Sequence, residues 1–160
     1  MFSALDMFTV GVGPSSSHTV GPMRAAAQFA RTLHDNGQVE QVARVQAILY
    51  GSLSMTGFGH GSDRAAVAGL EGYLPEDVDT DYMLTIRQAK EKSGVLHLNG
   101  ECDIAFNYSD DVVFEQWQRL AVHPNGMRFK AFNSAGTCIE EQVWYSIGGG
   151  FIKQGRVDDQ

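Results

Sequence analysis

The chain has 160 residues, of which 43% are hydrophobic and 19% are charged, and its formal net charge is −7. This length and composition predict one soluble globular domain over residues 1–160, with a single core. The acidic excess is spread along the chain without a Lys/Arg cluster, so nucleic acid is not an expected partner. The apolar runs are too short to span a bilayer, and the start MFSALDMFTV lacks the features of a secretory signal.

The cysteine content also limits the chemistry. Cys102 and Cys138 are far apart in the sequence and form no CxxC pattern. This excludes a disulfide framework and a self-contained zinc or iron–sulfur site, and it favours a reducing cytoplasm as the location. We expect both cysteines to be buried as small hydrophobic residues.

The first half of the chain predicts a helix, a strand and a second helix. PMRAAAQFARTLHDNG places Met23, Ala26, Ala30 and Leu33 on one helical face, and Asn36-Gly37 predicts its end. The alternating pattern of VARVQAILYG predicts a strand that ends at Gly51. SDRAAVAGLEGY then predicts an alanine-rich helix, for which Ser62 is a candidate cap.

The second half predicts mainly strands. After the polar loop LPEDVDTD and a short helix in YMLTIRQAKEKSG, the predicted strands lie in GVLHLNG, CDIAFNYS, GMRFKAFNSAG and TCIEEQVWYSIGGG. NSAG predicts a hairpin turn, and DDVVFEQWQRLAVHPNG is predicted to be largely irregular. Together these elements predict an α+β domain with helices packed on one face of a mixed, largely antiparallel sheet.

The opening stretch VGVGPSSSHTVGPMRAA concentrates polar side chains just before the first helix. Ser15, Ser16, Ser17, His18 and Thr19 are followed by Pro22, a residue that is tolerated in a first helical turn. A helix N-terminus offers unpaired N–H groups and a positive dipole end, which suit a carboxylate or a phosphate. The alternative is simple capping, but capping needs one such residue rather than four and a histidine.

A second polar loop, TGFGHGSDRAA, precedes the second helix. His60 lies between Gly59 and Gly61, which leave its imidazole uncrowded, and its pKa range suits proton transfer near neutral pH. Ser62 and Asp63 are candidates to cap the helix or to orient the ring. The alternative is a histidine in a surface turn.

The third candidate is WYSIGGGF, where three glycines follow a strand. They fit either a nest of backbone N–H groups or a flexible exit from the strand. The other three histidines are predicted to have structural or solvent-facing roles. His34 lies near a helix C-terminus, His97 lies within a strand, and His123 precedes Pro124 in a loop.

Four segments closely resemble the β domain of bacterial iron–sulfur L-serine dehydratase (L-serine ammonia-lyase), in its single-chain form. They are DMFTVGVGPSSSHTVGPMRAA, LYGSLSMTGFGHGSDRAAVAGL, HPNGMRFKAFN and YSIGGGFI, and the resemblance runs from Phe2 to Ile152. The domain also resembles the allosteric substrate-binding domain of some D-3-phosphoglycerate dehydrogenases. SSSHT and GHG are the most specific of the shared motifs.

The resemblance implies conversion of L-serine to pyruvate and ammonia with a [4Fe-4S] cluster and without pyridoxal phosphate. In that family three cysteines hold the cluster, and its open iron acts as a Lewis acid on the substrate hydroxyl while a base removes the α proton. Neither cysteine of this chain matches a cluster ligand. We therefore expect this chain to hold no metal or cluster, to be inactive alone, and to need the α domain as its partner.

The resemblance also implies roles for individual residues. Ser16, Ser17 and Thr19 are expected to bind the carboxylate of L-serine, and Ser15, Gly61 and Ser62 are further substrate-binding candidates. His60 is the expected general base, with His18 as the second choice. HPNGM and GGGF are expected to shape the interface with the α domain.

Two other functions remain open from the sequence. One is a regulatory module that binds serine or a small anion without direct chemistry, and the other is a pure assembly domain. A homodimer is also expected, because CDIAFNY and GMRFKAF are candidates to leave a strand edge or an apolar face uncovered.

Overall fold

A computed structural model describes residues 18–55, 61–115 and 123–159 of the chain. The helices are α1 (Val20–Asp35), α2 (Gly51–Met55), α3 (Ser62–Leu70), α4 (Thr80–Ser93) and α5 (Tyr108–Asp111), with a 3₁₀ turn at Val39–Gln41. The strands are β1 (Arg44–Tyr50), β2 (Val95–Leu98), β3 (Cys102–Ala105), β4 (Val112–Glu115), β5 (Gly126–Phe132), β6 (Cys138–Gly148) and β7 (Phe151–Gln154).

Five strands form the main sheet, in the order β4-β1-β5-β6-β7, and β2 pairs with β3 in a separate two-stranded sheet. Only the β1–β4 pair of the main sheet is parallel. The predicted α+β class with a mixed, largely antiparallel sheet is therefore confirmed. Of the two segments expected to leave a strand edge or an apolar face uncovered, GMRFKAF leaves no edge, because β5 is hydrogen-bonded on both sides, whereas β3 in CDIAFNY pairs with β2 alone among the described strands.

Alternation along the strands separates the two faces of the main sheet. The helix-facing side carries Val45, Leu49 and Phe129, all fully buried, and the ring of Phe29 in α1 stacks on Phe129 with centroids 5.6 Å apart. The opposite side, here called the outer face, carries a smaller buried cluster of Tyr50, Val143 and Tyr145. The helices thus pack on one face, as predicted.

Helices α1 and α3 pack closely and run in the same direction. Ser62 at the start of α3 contacts His18 at the start of α1, and Gly69 near the end of α3 lies against Met23 and Ala26. A side chain on Gly69 would overlap the Met23 carbonyl, so the absence of a Cβ permits this close approach. Both N-termini therefore lie at the same end of the domain.

Several local predictions are confirmed and others are wrong. Asn36 ends α1, and the NSAG turn closes with the Gly136 N–H donating to the Asn133 carbonyl at 2.9 Å. The segment predicted to be irregular contains β4, which pairs with β1 from Ala47↔Val112 onward. Cys138 is exposed and Cys102 is half-buried, so the expectation that both cysteines are buried is wrong.

Candidate active site

A hydrogen bond joins the first residue of α3 to the loop that precedes α1. The Ser62 hydroxyl donates to the carbonyl oxygen of His18 at 2.5 Å, and Ser62 is completely buried. His18, in the SSSHT motif, and Ser62, which follows the GHG motif, are therefore in direct contact. Ser15, Ser16, Ser17 and His60 lie outside the described residues.

Two predictions about helix capping are corrected. Gly61, not Ser62, occupies the capping position of α3, and its φ of +76° is in the left-handed region that favours glycine. Thr19 occupies the capping position of α1 without a side-chain capping hydrogen bond. The simple capping alternative therefore does not account for Thr19, which is 1% exposed and held within the loop.

Arg64 is a candidate residue that the sequence analysis missed. Its guanidinium folds back over Gly61, where a Cβ would lie 3.0 Å from Nη2. A cation in the first turn of a helix opposes the helix dipole, so its presence there needs another reason. That unfavourable position was the signal in SDRAA that could have identified it. A pocket of about 200 Å³ adjoins this turn, lined by Asp63, Arg64, Leu84, Arg87 and Gln88.

Asp63 anchors the start of α3 to two other elements. This buried carboxylate accepts a hydrogen bond from the Tyr108 hydroxyl at 2.8 Å, and Arg87 Nη1 lies 3.6 Å from the same oxygen. Burial, followed by the neighbouring Asp63 charge, raises the pKa of Tyr108 well above its usual range, so Tyr108 remains a donor. Among the described residues, Asp63 thus contacts α4 and α5. His60, whose ring it was predicted to orient, lies outside the described residues.

The HPNG segment lies near the N-terminus of α1. Asn125 accepts from the Ser52 hydroxyl of α2, and its side-chain amide donates to the Ser146 carbonyl at 3.3 Å. Ser146 in turn lies directly against Gly21 in the first turn of α1. The Asn125 N–H donates to Nδ1 of His123 at 3.0 Å, which leaves Nε2 to carry the proton of the neutral ring.

The three-glycine segment is a turn between β6 and β7 rather than a flexible exit. Arg24 of α1 donates from Nη1 to the Gly150 carbonyl at 2.8 Å, and a Cβ on Gly150 would lie 3.0 Å from Val20. The turn is therefore fixed to the first residues of α1. The starts of α1 and α3, the HPNG segment and the three-glycine turn therefore lie near one another.

The other histidines lie away from this cluster. Nδ1 of His34 is 3.0 Å from Glu101, and Nδ1 of His97 is 2.6 Å from Asp103, with both imidazoles exposed. These two positions are consistent with the predicted structural or solvent-facing roles.

A larger pocket, of about 690 Å³, opens at the N-terminal end of β1. It is lined by Arg44, Gly94, Phe106, Asn107 and Asp111, among others. Arg44 and Asp111 form an ion pair of 2.6 Å within it, and Asp110 adds a second carboxylate, so the described residues of this pocket offer no unpaired cation to an anionic substrate. We favour the cluster at the helix N-termini because it combines several donors and two positive dipole ends.

Residues 18–55, 61–115 and 123–159 offer neither a metal site nor a membrane-spanning helix. They contain no group of three or more His, Cys, Asp and Glu side chains that could hold a metal ion. No helix within them combines the length and apolarity needed to cross a membrane.

The fold and the site together define an α+β domain that gathers polar, glycine-rich loops at two parallel helix N-termini. The sequence profile of the serine dehydratase beta chain family matches residues 3–156. The chain therefore belongs to the serine dehydratase beta chain family.

Comparison with individual relatives agrees with this family. The chain is 45% identical to an L-serine dehydratase of Streptomyces coelicolor over 150 residues, 44% to one of Haemophilus influenzae over 153, and 43% to L-serine dehydratase 1 of Escherichia coli over 153. These alignments cover 94 to 95% of this chain but 33% of each relative. The chain thus spans about a third of the length of the curated relatives it matches.

Proposed function

We propose that this chain supplies the substrate-binding and acid–base groups of an L-serine dehydratase, which is completed by an α portion that carries a [4Fe-4S] cluster. The observation that carries the proposal is the 2.5 Å hydrogen bond from Ser62 to the His18 carbonyl. It joins the two loops whose motifs are shared with the family. The proposed reaction is the conversion of L-serine to pyruvate and ammonia.

The residues of this chain do not fit the cluster itself. Cys102 lies on β3 of the two-stranded sheet and Cys138 lies on β6 of the main sheet. Three thiolates converging on one point are needed to hold a cluster with an open iron. The proposal gives this chain the tasks of binding and orienting serine and of moving protons.

The carboxylate of serine is proposed to bind at the N-termini of α1 and α3. Two parallel helices present their positive dipole ends together, and unpaired N–H groups of a first turn suit a carboxylate. The proposal assigns this role to Ser15, Ser16, Ser17 and Thr19, with Gly61 and Ser62 on the facing loop. Arg64 adds a guanidinium beside Gly61, which increases the positive potential at the same place.

His60 is proposed as the general base that removes the α proton. It immediately precedes Gly61, and the left-handed backbone there turns the chain sharply into α3. The neutral imidazole of a histidine can accept a proton near pH 7. His18 is the second candidate, because its carbonyl is already held beside Ser62.

The test is the turnover of serine by this chain combined with the α portion under anaerobic conditions. Pyruvate formation that requires both parts is the expected result. His60→Ala should lower kcat by about 100-fold or more with little change in KM. His97→Ala, which changes an exposed histidine paired with Asp103, is the matched control and should retain activity.

Other outcomes would contradict the proposal. Full turnover by the α portion alone would exclude a catalytic role for this chain. If His60→Ala changes the apparent affinity or cooperativity for serine but not kcat, the regulatory alternative is correct. If loop variants change only the oligomeric state, the chain is an assembly domain.

A further inference from the structure

The turn between β6 and β7 exposes two large hydrophobic side chains. Ile147 is 50% exposed and Phe151 is 69% exposed, and Gly148, Gly149 and Gly150 separate them. These glycines have φ values of +96°, +63° and +80°, so the turn has a backbone that other residues rarely adopt. We call these five residues the apolar tip.

The apolar tip is held firmly at the candidate active site. Arg24 binds the Gly150 carbonyl at 2.8 Å and also forms a 3.0 Å ion pair with Glu76. On the other side of the tip, Ser146 is fully buried against Gly21. The two attachments lead to the first and second turns of α1, so the tip lies beside the candidate site.

The tip differs from the other exposed hydrophobic positions among the described residues. Tyr73, Leu74, Leu84 and Val157 are also exposed, but none of them belongs to a glycine turn fixed to α1. A ring placed beside three residues without side chains can be approached closely from several directions. Aromatic side chains, Phe included, are enriched in the buried cores of protein interfaces.

We propose that the apolar tip is the main anchor for the α portion of the complete enzyme, with Phe151 inserted into an apolar recess of that portion. This inference rests on the proposed function. The curated relatives are about three times as long as this chain, so they contain a large additional part that must approach the candidate site to complete it. The tip borders that site, and burial of an exposed ring and a branched side chain favours association there.

The test measures association between this chain and the α portion, with variants Phe151→Ser and Ile147→Ser. Phe151→Ser should raise the Kd by about 30-fold, as expected for the loss of a central aromatic anchor, and Ile147→Ser should have a smaller effect in the same direction. Val157→Ser is the matched control, because Val157 is also 50% exposed but follows β7 in the C-terminal segment. The Kd of this control should stay within about threefold of the unmodified chain.

Activity provides a second readout. At saturating concentrations of the Phe151→Ser chain, kcat should return to the unmodified value, since the tip docks the partner and does not react. An equal Kd for Phe151→Ser and Val157→Ser, or a kcat that stays low at saturation, would overturn the inference. Thermal unfolding of each variant identifies any global defect, and one in Phe151→Ser would itself contradict the assignment of an exposed docking side chain.

These results separate this inference from the proposed function. If the unmodified parts associate through the tip but form no pyruvate from serine, the proposed function fails and the docking assignment stands. If the complex is active and Phe151→Ser binds normally, the docking assignment fails alone. An unmodified chain that does not bind the α portion overturns the docking assignment.

Discussion

Ser62 occupies the first position of α3, where its short side chain reaches the backbone of a distant loop. Its hydroxyl donates to His18, 44 residues earlier in the sequence, and the side chain is completely buried. A partly buried carbonyl that loses its donor keeps part of the cost of desolvation without the compensating bond. One hydroxyl therefore joins the start of α3 to the residues that directly precede α1.

This bond leads to a prediction about stability. Ser62→Ala should lower the free energy of unfolding by about 1 to 3 kcal/mol, because the His18 carbonyl would lose its buried donor. Urea unfolding followed by circular dichroism measures the change. Ser109→Ala alters an exposed serine at the start of α5 and should stay within about 0.5 kcal/mol. Equal effects of the two substitutions would show that the Ser62 bond does not hold the loops together.

At the scale of elements, the packing of α1 on α3 determines the geometry of the candidate site. The contact uses Ala26, Ala27 and Gly69, whose small side chains allow the two helix backbones to approach closely. Because the helices run in the same direction, their positive ends are adjacent. An antiparallel pair would place one positive and one negative end there, which is unfavourable for an anion.

Gly69→Ala tests this packing. Alanine favours a helix over glycine by about 1 kcal/mol, so an isolated helix would gain stability from the substitution. In the folded chain the new methyl group would overlap the Met23 carbonyl and approach Ala26, and overpacking of this kind costs about 1 to 3 kcal/mol. A net loss of stability in urea unfolding is the expected result.

The control for this prediction is Gln28→Ala on the exposed side of α1. It should leave stability unchanged or raise it slightly, because alanine also has the higher helix propensity there. If Gly69→Ala is as stable as Gln28→Ala, the two helices are not in close contact at this point.

Across the whole molecule, the elements with a strong local pattern were predictable from the sequence. The helical spacing of Met23, Ala26, Ala30 and Leu33 correctly predicts α1, and all four side chains are buried. The turn residues of NSAG correctly predict the β5–β6 hairpin. Periodicity and turn chemistry are local properties, so a single sequence is sufficient to read them.

The elements that depend on distant partners were not predictable in this way. β4 has only four residues and gains its structure by pairing with β1, more than 60 residues away. In the candidate site, the loops suggested His18 and Ser62, but the Asp63–Tyr108 bond joins segments 45 residues apart. Arg64 is a different case: its place in the first turn of α3 was a local signal that was missed, whereas its position over Gly61 depends on the backbone turn there.

Among the described residues, the C-terminal segment 155–159 lies against the outer face of the main sheet. Arg128 on β5 donates from Nη1 to the Val157 carbonyl at 2.8 Å and from Nη2 to the Asp159 carbonyl at 2.9 Å. Its Nε donates to the Tyr50 hydroxyl at 3.2 Å. The Tyr145 hydroxyl donates to the Asp159 carboxylate at 2.7 Å, which lowers the pKa of that carboxyl group. These bonds thus hold segment 155–159 against the buried cluster of Tyr50, Val143 and Tyr145 on the outer face.

Arg128→Lys should release this segment while retaining the positive charge. An ammonium group cannot reproduce the planar set of donors with which the guanidinium binds two carbonyls and a hydroxyl at once. We expect a loss of about 2 to 3 kcal/mol in the free energy of unfolding and faster tryptic cleavage after Arg156. Lys130→Ala, on the same side of β5 and only half-buried, is the control and should change neither measurement appreciably. Unchanged cleavage in Arg128→Lys would mean that the Tyr145–Asp159 bond alone is sufficient to hold the segment.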